Sequence, residues 1–433
     1  MSRRLQVSLE EVMHVPEPAS VIGILSLAYG IHIVLVNLDI ALATLIPTLK
    51  GIGERRGDCF LVNRAKTLMR YYASTYAVAG VFGTAFTVAL LSFYPSFVAF
   101  VGHIAWTPFG LAVLTIALRF LTIAGYWYLW DRVSSRTHLV IGITMAASGL
   151  LIPFGFRAVF ALLNAPFGLH LRPQPYLVAS ETLLSNPTFA PLYLKSVFGA
   201  MAAGTLTLAS AYAWRYFKVD ESLKERYASL VSRLLPAGGL FLTAMLPLGF
   251  WYVIGLLAVS QYKFINIFGR WLGPGIEPAR DYSLIFILKM GLVAVQIGVL
   301  LYVFQRVLKV GELDDRSLRW TRLAGPAALA TVLVGEMLNA YSQLPYFIAR
   351  PDLFQFMPRH MVEALSAESV NTLANLPGVY IVTGAMLAPL LAAVAALFYI
   401  TLTEAGEPES EEEIPSDQEV EDKEAEMPEH SSD

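Results

Sequence analysis

The sequence predicts an all-α fold, a polytopic membrane helix bundle of about nine transmembrane helices. Three observations predict it. Of 433 residues 56% are hydrophobic and only 15% are charged. The mean hydropathy is +0.56. The apolar residues gather into long runs without the alternation of strands. A soluble domain of this size would carry about a quarter charged residues, so the solvent of this chain is lipid. Hydrocarbon offers the backbone no hydrogen-bond partners, and runs of this length satisfy their own amides as helices.

The runs lie at about 20–48, 69–94, 97–130, 138–163, 192–217, 235–260, 283–308, 321–341 and 375–403, each long enough to cross ~30 Å of hydrocarbon. Ahead of the first, Arg3 and Arg4 are followed by Glu10, Glu11 and Pro16. That is not the layout of a cleavable signal, so residues 1–19 are expected to be an extracytoplasmic segment and the first run to stay in the mature protein. The connections after runs one, three, five and seven are rich in Lys and Arg, among them Arg55, Arg56, Lys66, Arg132, Arg136, Lys218, Lys224, Lys309 and Arg319. The opposite side holds Arg172, Lys263, Arg270, Arg280, Arg350 and Arg359 besides the two N-terminal arginines. Positive charge marks the cytoplasmic side, which puts the N-terminus outside and the C-terminus inside.

The bundle is thus expected over 20–403, followed by an acidic, disordered cytoplasmic tail over 404–433. That tail holds 14 of the 34 acidic residues and one of the 31 basic ones, so the rest of the chain carries a net +10. A solubilising extension explains such a tail more simply than a docking segment. Cys59 is the one cysteine, which rules out an intramolecular disulfide and a cysteine-ligated iron–sulfur cluster.

No phosphate-binding glycine loop, zinc spacing or nucleophile elbow is present, and nothing points to nucleic acid. Chemistry, if any, is built inside the bundle, where each polar side chain is costly and therefore a candidate. His32, Asn37 and Asp39 lie in the first run, Arg119 in the third, Arg157 in the fourth and Lys195 at the start of the fifth. Lys289 lies in the seventh, Glu336 and Asn339 in the eighth. Charges of both signs predict internal pairs, or alternatively an ion or proton path. His32 and Asp39, seven residues apart, share a helix face two turns apart and cannot touch. His32 can supply an axial imidazole to haem iron, or it is a histidine bonded to a neighbouring helix. Met290 is a thioether ligand candidate or an ordinary packing residue. His103, His138, His170 and His360 are expected near span ends, solvated or interfacial. Tyr126, Trp127, Tyr128 and Trp130 read as an interfacial belt, with quinone stacking as the alternative.

Ordered local matches carry a family resemblance. His32 with Val34-Leu35-Val36 is followed by Trp130-Asp131-Arg132 with His138, by Asn164, Pro166 and Gly168, by Asn186-Pro187, and by Gln343-Leu344-Pro345-Tyr346. In this order they resemble subunit I of cytochrome bd quinol oxidase, most closely over residues 20–220. The resemblance implies a nine-helix fold with an outside N-terminus in a prokaryotic plasma membrane. It implies haems b and d, a quinone, a partner chain and small membrane subunits. It places His32 as the ligand of the oxygen-reactive haem.

The departures fall on residues that such a family uses for chemistry. Lys195 stands at the fifth-helix histidine that ligates haem b, with Met290 as the surviving partner ligand. Leu111 and Arg119 stand near the two third-helix glutamates. Ala340 stands at the eighth-helix glutamate, with Glu336 one turn earlier as the substitute. The loop after the sixth run shrinks to about 261–282. The expectation is a largely non-catalytic subunit with no haem or one, on His32, beside a haem-bearing subunit I-like chain. The alternatives are a divergent catalytic subunit with one haem on His32, and a transporter or channel using Asp39, Glu336 and the basic residues.

Overall fold

The computed structural model describes residues 20–165, 184–276, 278, 281–343 and isolated positions between 381 and 396. The segments 1–19 and 404–433, His170, His360 and nearly all of the run at 375–403 lie outside the described residues.

The described chain is helical, with no strand: α1 Ser20–Arg56, α2 Cys59–Phe93, α3 Pro95–Ile104, α4 Trp106–Tyr128, α5 Ser135–Asn164, α6 Phe189–Tyr216, α7 Glu221–Val259, α8 Gln261–Phe268, α9 Ser283–Val310, α10 Asp315–Thr321 and α11 Ala324–Gln343. Eight stretches among the described residues are long and apolar enough to cross a membrane, the last running through α10 and α11. They coincide with the first eight apolar runs, with one correction. The run at 97–130 is not one helix: the backbone turns at Ala105, leaving short α3 before the spanning α4. Pro95 at the first helical position starts α3, where a missing amide costs nothing.

Helix ends follow their capping residues. Asp58 accepts from the Leu61 amide at 3.3 Å to start α2, Ser134 from Thr137 at 3.3 Å to start α5, and Asp314 from Ser317 at 2.9 Å to start α10. Gly311, left-handed at φ 87°, ends α9.

Consecutive spans pair as α1–α2, α4–α5 and α6–α7, while α9 pairs with α11. At the centre stand α1 and α6, of whose most apolar windows 50% and 56% of residues are buried, against 11% for α2. The reason for α6 is written in its run Ala200-Met-Ala-Ala-Gly204-Thr-Leu-Thr-Leu-Ala209-Ser210, small or apolar on every face. A side chain at Gly204 would fall onto Ala41 of α1, so the missing Cβ sets how closely the two central helices approach. The largest core cluster joins Leu206, Tyr212, Tyr227, Leu234, Met69, Tyr72 and Met145 from α6, α7, α2 and α5.

Candidate functional site

Glu336 lies at the centre of a polar network inside the bundle. Its carboxylate receives both arms of Arg157, Nη2 to Oε1 at 2.8 Å and Nη1 to Oε2 at 3.3 Å, with side chains only 16% and 8% exposed. This is the forked geometry that makes an arginine–carboxylate contact strong. The Tyr29 hydroxyl donates to Oε2 at 3.3 Å and Asn339 Nδ2 at 3.4 Å. Lys263 Nζ then donates to Asn339 Oδ1 at 2.6 Å and Asn164 Oδ1 at 3.2 Å. Asn164 Nδ2 reaches the Tyr252 hydroxyl at 3.3 Å and Thr188 Oγ1 at 3.2 Å.

Helical spacing builds this row. Arg157 and Asn164 stand seven apart on α5, and Glu336 and Asn339 three apart on α11, each pair on one face. Asn186 fixes the end of α5 by donating to the Ala161 and Ala165 carbonyls at 3.0 and 2.9 Å; the Ala161 carbonyl also accepts the Ala165 amide at 3.0 Å, and the Ala165 carbonyl lies past the last helical residue.

Lys195 of α6 and Lys289 of α9 flank the network, both half-buried. The Lys195 ammonium lies 4.8 Å from the centre of the Tyr252 ring. The end of Lys289 rests on Gly335, where an added Cβ would sit 3.4 Å from Nζ. Their charges lie close enough to act on one another and on Glu336. Neither has a hydrogen bond or ion pair among the described residues.

A second cluster joins α1 to α4. Arg119, 1% exposed, donates from Nη2 to the backbone carbonyl of Asp39 at 2.7 Å. Its guanidinium lies 5.5 and 5.7 Å from the ring centres of Tyr72 and Tyr76, and Nη1 presses on α5 at Gly149. Asp39 Oδ1, Arg119 Nε and Nη1 and the Tyr72 hydroxyl are buried there without hydrogen-bond partners among the described residues.

His32 is half-buried and turned toward α2, with Nδ1 2.8 Å from the Ala79 carbonyl and its ring edge against Gly83. A carbonyl only accepts, so Nδ1 carries the proton and Nε2 keeps its lone pair. That is the arrangement a metal-binding imidazole needs, and His32 therefore fits one axial position. The other positions fit poorly: Met290 is 42% exposed and Ala340 is buried without a donor atom. Leu111 is 39% exposed on α4.

The sequence predicts His138 near a span end, solvated or interfacial; it stands in the first turn of α5, and the solvated alternative is corrected. It is 1% exposed, with Nε2 2.9 Å from the Tyr126 carbonyl and its ring 3.9 Å from that of Tyr126 and 5.1 Å from that of Trp130. Tyr126 and Trp130 are core residues, and only Tyr128 of the cluster keeps a belt-like exposure, 67%. The Trp130-Asp131-Arg132…His138 stretch is a clasp between α4 and α5. The Lys50 ammonium covers Trp130 at 5.1 Å and Lys66 pairs with Asp131 at 3.0 Å.

Sequence reasoning placed Lys263 among loop cations, whereas it is 3% exposed inside the network. Its signal was present: Lys263, Asn266 and Ile267 share one face of α8 and are all buried. Tyr29 and Tyr252 carried no such signal, since an interior tyrosine looks like any packing residue.

A family model for cytochrome bd terminal oxidase subunit I matches residues 24–271. Among solved structures, the chain is similar to one described as the structure of bd oxidase from Geobacillus thermodenitrificans, with a TM-score of 0.68 and 16% identity. The alignment covers 88% of this chain and 97% of that one; at this identity the likeness shows the fold. No curated protein matches the chain. The match over more than half its length, on a bundle of membrane-spanning helices, places this chain in the cytochrome bd terminal oxidase subunit I family.

Proposed function

We propose that this chain is a largely non-catalytic subunit of a bd-type quinol oxidase, working beside a haem-bearing subunit I-like chain and walling that partner's haems from water. The observation that carries this reading is the commitment of the side chains at or beside the positions where haem ligands are expected. Lys195 lies over the Tyr252 ring, Arg119 holds the Asp39 backbone, and Glu336, the carboxylate nearest Ala340, is gripped by Arg157. A protonated lysine has no lone pair, alanine offers no ligand and arginine stays charged, so none of the three replaces a ligand. Haems b and d, and the quinol that reduces them and leaves as quinone, then belong with the partner. The basic connections favour an outside N-terminus and a cytoplasmic C-terminus.

A second reading, one haem retained on this chain, is favoured by His32 alone. Its Nδ1–H to Ala79 leaves Nε2 free to bind iron. When bound, haem supplies an iron that passes electrons or binds a small gas. The residues of this chain hold the imidazole tautomer and, through Phe82 and Leu35, which are both buried, keep water away.

Pyridine haemochrome analysis of the isolated subunit decides between the two. None or one haem per chain is expected, and His32→Ala removes the one if it is present. Two or more per chain would overturn the non-catalytic reading.

A further inference from the structure

Among the described residues, the two lysines beside the Glu336 network have no carboxylate of their own and share Glu336 with Arg157. Among the described residues, Arg157, Lys195, Lys263 and Lys289 stand around the single carboxylate Glu336, which is bonded in fork fashion to Arg157. Lys263 is held by two asparagine carbonyls. Lys195 has a tyrosine ring face, and Lys289 has neither hydrogen bond nor ion pair among the described residues. Two ammonium groups that feel one another in an apolar bundle repel, and an anion between them removes both the repulsion and the cost of burial.

Two of the helices near this place are loosely paired. Helices α7 and α9 touch only sparingly, in contrast to the long α6–α7 and α9–α11 pairings. They meet at Gly239 and Leu300, where an added Cβ would lie 3.2 Å from the leucine. At the other end α8 packs on α7, α9 and α11 and closes the gap. Between those two closures Lys195 projects from α6 beside Gly249, and Lys289 lies on Gly335 of α11. Both lysines there are half-buried. Its rims are apolar and outward-facing: Leu246 and Phe250 on α7, Leu288 and Val295 on α9, 38–69% exposed.

We propose that the opening between α7 and α9 is a lateral binding site for an anionic amphiphile, whose phosphate or carboxylate head sits between Lys195 and Lys289 while its chain lies along the apolar rims. A single head oxyanion can accept from both ammonium groups, and an apolar tail explains a site that opens sideways rather than to water. The head chemistry is shared by acidic phospholipids and by carboxylated amphiphiles. The site does not depend on whether His32 holds a haem.

The test is native mass spectrometry and lipid extraction of the full-length complex, purified in mild detergent. Wild type, Lys195→Gln/Lys289→Gln and the charge-keeping Lys195→Arg/Lys289→Arg are compared after reconstitution in nanodiscs with or without phosphatidylglycerol. Wild type and the arginine pair should retain a bound anionic amphiphile. The glutamine pair should lose it by roughly thirtyfold, about fivefold per lysine. A phosphate-bearing species assigns the source to phospholipid, and a carboxylate-bearing one to the second class; either supports the site. Equal retention by wild type and the glutamine pair would overturn it. Should the glutamine pair fail to fold, wild type alone still decides: its melting temperature should rise as phosphatidylglycerol replaces phosphatidylcholine, and an unchanged value with no copurifying anion would overturn the proposal.

Discussion

Around Glu336 a carboxylate and a guanidinium meet face to face, whereas around Asp39 the guanidinium of Arg119 passes the carboxylate and takes the backbone carbonyl of the same residue. Both contacts lie deep in the bundle, and both tie distant helices, α5 to α11 in one case and α1 to α4 in the other. The first neutralises its charges within the pair and fills the remaining lone pairs from Tyr29 and Asn339. The second leaves Asp39 Oδ1, Arg119 Nε and Nη1 and the Tyr72 hydroxyl without hydrogen-bond partners among the described residues. Burial alone therefore does not make an intramembrane charge a lock. A lock needs the charges to face each other and every remaining polar atom to be satisfied, because the desolvation penalty of one orphaned group offsets most of a well-made hydrogen bond.

The largest effect should come from breaking the direct pair. Glu336→Gln leaves Arg157, Lys195 and Lys289 facing no carboxylate among the described residues and should cost about 3–5 kcal/mol, the range for removing one partner of a buried ion pair. The thermal midpoint of the detergent-solubilised complex, followed by tryptophan fluorescence, reads this directly. Arg157→Met combined with Glu336→Met should recover part of the loss, since the guanidinium is removed together with its carboxylate and only Lys195 and Lys289 stay as in the single variant. A double variant as unstable as the single one would show that the pair is not what holds α5 to α11.

A smaller loss, about 1–3 kcal/mol, is expected for Arg119→Met, which gives up one hydrogen bond and the contacts with Tyr72 and Tyr76. Asp39→Asn should change less again, because its carboxylate makes no hydrogen bond to the guanidinium. The comparison fails if Arg119→Met costs as much as Glu336→Gln under the same assay.

The smallest effect serves as a control outside the spans. The hydroxyl of Ser317, followed by Arg306, holds the Asp314 carboxyl down at about 2. A depressed carboxyl contributes stability in full above the usual carboxylate range of about 4, and that contribution fades as pH falls toward the depressed value. Unfolding of wild type should therefore become easier on acidification through this window, and Asp314→Asn should flatten that part of the profile. Identical acid profiles for the two proteins would mean that the α10 cap adds nothing measurable, as is common for solvated ion pairs.

Much of the bundle was legible in the chain. Hydropathy located all eight described spans, and ordered matches around His32, Trp130, Asn164 and Asn186 pointed to a family whose model matches residues 24–271. What escaped shares one physical character. His138 stands at the start of a span and reads as wet, yet Tyr126 and Trp130 close over it. Lys263 reads as a loop cation, yet α8 folds back and carries it to Asn164 and Asn339. The run at 97–130 reads as one helix, although the chain turns at Ala105, between Gly102 and Pro108, the latter in the first turn of α4.

By itself the sequence determined that this chain lives in lipid, that it spans the membrane repeatedly as helices, and which few residues bear the dielectric cost of sitting inside. Those properties are sums over neighbouring residues, and a window of about twenty suffices to read them. Only the tertiary structure decided which charges meet. Arg157 and Glu336 are 179 residues apart, Arg119 and Asp39 are 80 apart, and Lys195 and Lys289 approach from helices that pair with other neighbours. Such meetings depend on how closely helices approach and on a residue's angle around its own axis, and a short window holds neither quantity.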